Sequence, residues 1–385
     1  MINKIFDIMK FSLAVMASKI IKVFPKYRDV WLITERRAEC KDNGYHLFKY
    51  LRTNHPDINV FYAIDKNSYQ RKKIIDYGNV VNFNSFKHYV LALTATKLIG
   101  AFLPCGIPDS ISFYKFVNMV KGKKCFLQHG ITKENIKSLH YERTQLDLFI
   151  CGAKPEYDYI LQNFGYQKEN VKYSGFCRYD NLNEFNIEKL ILIMPTWRQW
   201  IPSSTWHEKE SLSDLSSIEY FENYKKLIND KKILSLLERH GYRIIFYIHH
   251  EMQPYIDYFG KSNDIITIAS ENEYDVQDLL KSASFLITDY SSVAFDFAYM
   301  KKPLIYYQFD EDKYYKNHYN KGYFDYGDMG FGQKCSNLEQ VILEMESILE
   351  KGCNMNEIYK RRVDNFFLYR DKNNCERNYK AISNI

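Results

Sequence analysis

A short apolar run, a polar turn and a helical pattern in the second half of the chain most constrain its fold. Residues 285–287 are apolar, as in a buried strand of a parallel sheet, and residues 288–292 are polar. Apolar side chains then recur at helical spacing over 293–300, and Pro303 ends that helix before a second apolar run at 304–307. This order of strand, turn, helix and strand predicts an α/β fold with a parallel sheet.

The polar turn contains candidate ligand-binding residues. Thr288, Asp289, Ser291 and Ser292 follow directly after a predicted strand, and open parallel sheets bind ligands beyond the carboxyl ends of their strands. Free N–H groups at the start of the next helix favour an anion such as phosphate. Serine side chains in this position also serve as simple helix caps. The pattern alone is compatible with either role.

The same alternation of apolar runs and helical patterns extends along most of the chain and predicts two α/β halves. Residues 181–189 lack apolar periodicity, which is typical of a linker. We therefore expect an N-terminal domain over 29–185, a C-terminal domain over 186–370, and a tail, 371–385, that returns to the first domain. Further strands are expected at 30–34, 59–64, 80–83, 96–101, 124–128, 146–151, 171–174, 190–194, 243–248 and 265–268, with a long helix at 220–239 and a polar loop at 199–214.

Length, charge and cysteine content limit the classes of protein to which this chain can belong. A chain of 385 residues is too long for one compact core and suits two domains. With 53 basic and 47 acidic residues, the net charge of +6 does not indicate a nucleic-acid binder, but it suits anionic substrates or an anionic membrane surface. The eight cysteines include no CxxC pair, which argues against a zinc site and for reduced thiols in a cytoplasmic protein.

The first 28 residues form a separate basic and apolar segment with six basic residues and one acidic residue. Its uncharged run, 11–18, is far shorter than the roughly 20 residues that a membrane-spanning helix needs. Lys19 and Lys22 interrupt the place where a secretory signal would have its apolar core and cleavage site. Two interpretations remain: an amphipathic helix in the interface of an anionic membrane, or a helix packed on the core of the protein itself.

Five segments resemble the CDP-glycerol glycerophosphotransferases, a family that primes and polymerises teichoic acids and related phosphate-linked capsule chains. They are FLQHGITKEN at 126–135, SGFCRYDNL at 174–182, ILIMPTWR at 191–198, FYIHHEMQPY at 246–255 and SASFLITDYSSVAFDFAYMKKPLIYYQFD at 282–310. The resemblance implies two Rossmann-like α/β domains facing a cleft, as in the glycosyltransferase B architecture.

The resemblance also marks candidate residues in the first half of the chain. His129 and Gly130 match the His-Gly motif of the family, and an imidazole at the end of a strand can accept a proton near neutral pH. Arg178 and Asp180 match a Gly-x-x-Arg-x-Asp loop, in which arginine would hold a phosphate while aspartate fixes its orientation. The family carries a similar acidic Asn-Gly loop near the first strand. We therefore also expect the cleft to be lined by Glu35, Asn43 and Gly44.

In the second half, His249 aligns with the second histidine of the family, and His250 stands where proline is usual. Thr196 and Arg198 follow the predicted strand 190–194 and are expected to contact substrate. No carboxylate is spaced to complete a metal site with the two histidines, so we expect neither a metal nor another cofactor.

The resemblance implies transfer of a polyol phosphate from a CDP-activated donor, with CDP-glycerol expected before CDP-ribitol. The acceptor would be a hydroxyl of a lipid-linked saccharide or growing polymer, and CMP would be released. His129 would be the base. The pyrophosphate would be neutralised by His249, Arg198, Arg178, Ser291 and Ser292. Such an acceptor favours peripheral attachment to the cytoplasmic face of the cell membrane.

Two other functions fit parts of the sequence. A nucleotide-sugar glycosyltransferase would share the fold, and a noncatalytic polysaccharide-binding protein would use the abundant tyrosines, of which there are 33. The sequence does not distinguish glycerol from ribitol, a primase from a polymerase, or one oligomeric state from another.

Overall fold

The computed structural model describes residues 2–109, 118–202, 215–270 and 273–385, with side chains from residue 8 onward. The chain divides into two compact units. The first unit comprises Met1–Ile131, Lys137–Asn181 and Tyr369–Ile385, and the second comprises Thr132–Ile136 and Leu182–Leu368. The C-terminal residues therefore belong to the first unit.

The first unit contains a seven-stranded parallel sheet in the order β3-β2-β1-β4-β5-β6-β7 among the described residues. Its strands are β1 (Trp31–Thr34), β2 (Val60–Ile64), β3 (Val80–Asn82), β4 (Lys97–Gly100), β5 (Lys123–Phe126), β6 (Leu148–Cys151) and β7 (Val171–Tyr173). In the interior strand β1, Leu32 lies opposite Phe61 and Leu98 and packs on one face of the sheet, while Ile33 packs on the other. Burial of both faces explains why this strand is a continuous apolar run.

The second unit contains a six-stranded parallel sheet in the order β10-β9-β8-β11-β12-β13 within the described ranges. Its strands are β8 (Leu190–Met194), β9 (Arg243–Tyr247), β10 (Ile266–Ala269), β11 (Phe285–Thr288), β12 (Leu304–Tyr307) and β13 (Gln333–Cys335). Ile287 in β11 pairs with Ile193 of β8 and with Ile305 of β12. The expected α/β class with two parallel sheets is confirmed.

Helices connect the strands of both units. They are α1 (Ile2–Ile21), α2 (Asn43–Asn54), α3 (Phe86–Thr94), α4 (Tyr141–Thr144), α5 (Lys154–Asn163), α6 (Glu219–Asn229), α7 (Lys231–His240), α8 (Val276–Ser282), α9 (Val293–Tyr299), α10 (Glu311–Asn317), α11 (Leu338–Glu350), α12 (Glu357–Phe366) and α13 (Asn374–Ser383). Most of the expected loop over 199–214 lies outside the described residues.

Two expected elements differ from the structure. The long helix expected at 220–239 is two helices, because the Asp230 side chain accepts hydrogen bonds from the N–H groups of Lys232 and Ile233 and caps the second helix. The strand expected at 124–128 ends at Phe126. Gln128 has a positive φ of 59°, which an extended strand does not allow.

Helix α1 has two different apolar faces. Phe11 and Ala14 are buried in the core of the first unit, where the Phe11 ring lies 6.4 Å from that of Tyr89. At helical spacing, the opposite side exposes an apolar stripe that consists of Met9, Leu13, Met16 and Ile20. One face of α1 therefore packs on the core of the protein itself, as the second of the two interpretations expects, and the other face does not. Over the described residues, no helix is both long enough and apolar enough to span a membrane.

Candidate active site

Asp289 joins the carboxyl ends of two neighbouring strands in the second unit. Its Oδ1 accepts hydrogen bonds from the backbone N–H of Thr196, at 2.8 Å, and of Tyr290, at 2.6 Å. Thr288 donates its hydroxyl to the carbonyl of Met194 at 2.6 Å. Since Thr288 and Asp289 are fully buried, these two residues build the frame of the site and do not face a ligand.

Arg198 is also part of this frame. Its side chain is fully buried and forms ion pairs with Asp289 at 2.9 Å and Asp310 at 2.7 Å. The rings of Tyr290 and Tyr314 lie 5.1 and 5.3 Å from the guanidinium. The sequence suggested a phosphate contact for Arg198, but a guanidinium that is fully buried and saturated by two carboxylates is not accessible to a phosphate. We therefore assign it to the frame.

The two serines of the polar turn are partly exposed and precede α9. Ser292 stands at the N-cap position but its side chain makes no capping hydrogen bond, and the Ser291 hydroxyl accepts from the Val293 N–H only at 3.5 Å. A helix cap normally bonds at a shorter distance. Capping therefore does not account for either hydroxyl.

His249 and its neighbours follow β9. Its Nδ1 accepts a hydrogen bond from the Glu251 N–H at 3.3 Å, so a neutral ring carries its proton on Nε2. The ring lies 4.2 Å from that of His250 and 6.4 Å from that of Trp197. His249 thus suits the role of a hydrogen-bond donor.

His318, which no sequence motif marks, lies beside this group. Its Nδ1 accepts from the Gln199 N–H at 3.0 Å, and its ring packs edge-on against Trp197 at 4.7 Å. Burial, with help from the charges of Arg198 and Lys133, lowers the pKa of His318 to about 3, so the ring is neutral and carries its proton on Nε2. This Nε2 and the Thr196 hydroxyl are buried and have no hydrogen-bond partner among the described residues.

In the first unit, Glu35 organises the acidic loop that precedes α2. Its carboxylate accepts hydrogen bonds from the N–H groups of Lys41, Asp42 and Tyr45 at 2.7 to 3.0 Å, and burial raises its pKa to about 8. A Cβ on Gly44 would lie 3.1 Å from the Cγ of Glu35, so glycine allows this close approach. Glu35 and Gly44 thus fix the conformation of this loop.

Asn43 connects this loop to the segment that carries His129. Its Nδ2 donates to the carbonyls of Leu127 and Gln128 at 3.3 and 2.8 Å, and its Oδ1 accepts from the Arg178 N–H at 3.1 Å. One buried amide thereby fixes the backbone directly before His129.

Arg178 and Asp180 have separate functions. The Arg178 guanidinium is buried and pairs with the carboxylate of Asp42 at 2.8 Å. Asp180 accepts from the N–H groups of Asn374 and Cys375 at 2.9 and 2.8 Å and so holds the start of α13. The sequence suggested that Asp180 orients Arg178; in the structure it anchors the C-terminal helix.

His129 lies exposed beyond the end of β5, with the partly exposed Gly130 after it. Its ring stacks on Phe102 at 4.5 Å and hydrogen-bonds the backbone of Ala101. Protein atoms crowd the ring although the residue reaches solvent. This loss of solvation, followed by the charges of Arg36 and Arg178, lowers the pKa of His129 to about 4. The imidazole is therefore neutral at pH 7 and able to accept a proton.

The described residues contain no group of three or more His, Cys, Asp or Glu side chains arranged to hold a metal ion.

A sequence model of the family described as CDP-glycerol:poly(glycerophosphate) glycerophosphotransferase matches residues 15–384. The chain belongs to this family. The resemblance seen in the five motifs is confirmed.

Curated relatives agree with this assignment. The chain is 36% identical over 379 residues to the minor teichoic acid biosynthesis protein GgaB of Bacillus subtilis (strain 168), covering 96% of this chain but 41% of that protein. It is 25% identical over 316 residues to a teichoic acid glycerol-phosphate transferase of Staphylococcus aureus, covering 77% of this chain and 78% of the relative. The chain thus spans less than half the length of GgaB.

Solved structures show the same fold at low sequence identity. The wall teichoic acid polymerase TagF superposes with a TM-score of 0.63 at 18% identity, over 100% of this chain and 98% of that one. The MnaA protein of S. aureus, solved with UDP, gives a TM-score of 0.53 at 14% identity, over 91% and 94% of the two chains.

The buried ion cluster of this family member gives a first prediction. Arg198→Ala would leave Asp289 and Asp310 buried without their cation and should lower the free energy of unfolding by about 3–5 kcal/mol, measured by urea denaturation. The control is Arg243→Ala, because Arg243 pairs with Glu188 at 2.6 Å on the surface and its loss should cost about 1 kcal/mol or less.

Adding Asp310→Asn to Arg198→Ala removes one of the stranded charges and should restore part of the lost stability. Equal destabilisation by the Arg198 and Arg243 variants would contradict the frame role of Arg198.

Proposed function

We propose that this chain transfers a polyol phosphate, glycerol phosphate first of all, from a CDP-activated donor to a hydroxyl of a lipid-linked saccharide or growing teichoic acid, and releases CMP. The observation that carries the proposal is the family match over residues 15–384. CDP-ribitol is the second donor to consider, because relatives of this chain include a teichoic acid poly(ribitol-phosphate) polymerase.

The first unit supplies the base in this proposal. His129 takes the proton of the acceptor hydroxyl as its oxygen attacks the phosphorus of the polyol phosphate. The bond between that phosphorus and the oxygen of CMP breaks, and the electron pair leaves with CMP. The low pKa of His129 keeps its imidazole neutral before the reaction, and the negative charge of a bound substrate would stabilise the imidazolium that forms.

The second unit binds the donor in this proposal. The hydroxyls of Ser291 and Ser292 and the Nε2–H of His249 are hydrogen-bond donors for phosphate oxygens. His318 and Thr196 add a donor and a hydroxyl that have no partner among the described residues. Aimed at charge that develops in the transition state, such fixed dipoles accelerate phosphoryl transfer. Arg198 acts on the binding residues through the backbone of Thr196, to which it donates a hydrogen bond, and Arg178 acts through Asp42 in the first unit.

A donor panel tests the function directly. The protein is incubated with a soluble saccharide acceptor or one that ends in a polyol phosphate, and with CDP-glycerol, CDP-ribitol or a UDP-sugar. Mass spectrometry should detect a product that gains one polyol phosphate, with an equal amount of CMP. Product from the UDP-sugar alone would identify a glycosyltransferase, and the absence of product with every donor would favour a binding protein.

The catalytic role of His129 gives a second prediction. His129→Ala should lower kcat by about 100-fold or more, because the hydroxyl loses its base, while donor affinity changes little. His240→Ala, at the end of α7 in the other unit, is the matched histidine control. Near-normal turnover of the His129 variant would remove this residue from the mechanism.

Two variants of His318 give a third prediction. Asparagine reproduces Nδ1, so His318→Asn keeps an acceptor for the Gln199 N–H and loses the Nε2 donor; His318→Gln reproduces Nε2 and loses the acceptor. Loss of a ligand hydrogen bond should cost about 1 kcal/mol or more. His318→Asn should therefore weaken binding of CDP-glycerol, measured by calorimetry, more than His318→Gln does. Unchanged affinity in His318→Asn would refute the contact.

We also propose that the exposed apolar stripe of α1 attaches the protein to the cytoplasmic face of the cell membrane. Met9, Leu13, Met16 and Ile20 point away from the core that holds Phe11. Lysines on either side of such a stripe suit an anionic lipid surface, where each basic residue contributes about 1 kcal/mol.

Substitution within the stripe gives a fourth prediction. Leu13→Gln with Met16→Gln should reduce binding to phosphatidylglycerol vesicles by about tenfold or more, because two apolar side chains leave the lipid interface, and high salt should weaken binding of the unaltered protein. Leu343→Gln on α11 is the control, since Leu343 is at least as exposed, at 61%, as the two substituted residues of the stripe. Vesicle binding that is unchanged by the double substitution would exclude this face as the attachment site.

A further inference from the structure

In the first unit, Arg36 and His129 both pack on the ring of Phe102. The Arg36 guanidinium carbon lies 4.5 Å from the centre of the Phe102 ring. The His129 imidazole lies 4.5 Å from the same ring, and the two ring planes differ by 14°. Arginine favours such packing, because a planar guanidinium stacks on an aromatic face and still presents its N–H groups at the edge. One aromatic ring therefore holds both a cation and the base.

Arg36 is more available to an anion than its neighbour Arg37. Among the described residues, the carboxylate that pairs with Arg36 is that of Glu39, at 3.7 Å, whereas Arg37 pairs with Asp65 at 2.7 Å. The Arg36 side chain is 46% exposed. Its guanidinium is therefore accessible to a ligand while it packs on the Phe102 ring.

The charge of Arg36 affects the pKa of the His129 imidazole. It is the largest charge contribution that lowers the pKa of His129, ahead of Arg178, while Glu39 opposes it. Arg178 already has the carboxylate of Asp42 at 2.8 Å. The surroundings of His129 therefore carry a positive charge that Glu39 only partly balances, and this favours an anionic group next to the hydroxyl that His129 deprotonates.

We propose that Arg36 binds the phosphate that precedes the accepting hydroxyl, so that the preferred acceptor is a chain that already ends in a polyol phosphate and not a neutral saccharide. This inference rests on the proposed function. It deepens that function, because an acceptor of this class is the product of a preceding transfer of the same kind. Arginine can hold such a phosphate with two parallel N–H···O bonds.

Kinetics with paired acceptors test the inference. The two acceptors are a soluble glycoside with a free hydroxyl and the same glycoside extended by one glycerol phosphate, each used with CDP-glycerol. For Arg36→Ala, the ratio of kcat/KM for the phosphate-ended acceptor to that for the neutral one should fall about tenfold, mainly through KM, because the lost contacts are charge-assisted hydrogen bonds. Arg36→Lys keeps the charge but loses the planar guanidinium. Its ratio of kcat/KM values should lie between that of the unaltered protein and that of Arg36→Ala. Arg37→Ala should leave the ratio at the value of the unaltered protein.

An unchanged ratio in Arg36→Ala would overturn the inference, as would an equal fall in Arg37→Ala. A preference of the unaltered protein for the neutral acceptor would also overturn it. If the unaltered protein transfers to neither acceptor, the proposed function itself fails.

A readout independent of turnover is the titration of His129, followed by NMR. Removal of the Arg36 charge should raise the pKa of His129 from about 4, while Arg37→Ala should not. Inorganic phosphate should reproduce part of this upward shift in the unaltered protein by binding beside the ring, and this effect should be lost in Arg36→Ala. A His129 pKa that does not respond to Arg36→Ala would place the guanidinium away from the base and refute the proposal.

Discussion

The second unit depends on a fully buried guanidinium. Burying Arg198 would cost many kcal/mol without partners, and Asp289 and Asp310 repay that cost through ion pairs of 2.9 and 2.7 Å. The three residues follow β8, β11 and β12, three adjacent strands of one sheet. Their mutual attraction therefore fixes the relative positions of the strand-end loops. Asp289 extends this control to the backbone of Thr196 and Tyr290, and so to the turn that carries both serines.

The first unit fixes the backbone near its candidate base by other means. There, the backbone near the base is fixed by single polar side chains, Glu35 for its own loop and Asn43 for the carbonyls before His129. Gln128 adopts a left-handed backbone conformation at this point, with φ of 59°. Such a conformation costs free energy and persists where neighbouring bonds hold it. The amide of Asn43 supplies two of those bonds.

The strands could be predicted from the sequence because parallel strands are buried on both faces. Residues 190–194 and 304–307 are apolar throughout, and the structure places strands at these same positions. The break between α6 and α7 was missed because Asp230 interrupts an apolar period that continues on both sides of it. A cap of this kind depends on one side chain, so it cannot be recognised from the apolar periodicity of a long stretch of sequence.

The candidate site could be predicted only in part. The motifs mark the strand-end positions of His129, His249 and the two serines, because the carboxyl ends of parallel strands follow directly from the strand pattern. They give no indication of His318, which belongs to no motif and reaches Trp197 from beyond α10. Phe102 was missed for the same reason. Contacts of this type depend on how side chains from separate loops pack, which one sequence does not specify.

Motif residues also differ in what they do, and the structure separates them by burial and bonding. Asp180 and Arg178 lie two positions apart in one loop, yet one holds α13 and the other pairs with Asp42. Arg198 carries the charge that a phosphate site needs, but two carboxylates already neutralise it. A charged residue in a signature is therefore as much a means of fixing loop backbones as a ligand for substrate. What distinguishes His129 and Arg36 is that each reaches solvent while its position is fixed by stacking on Phe102.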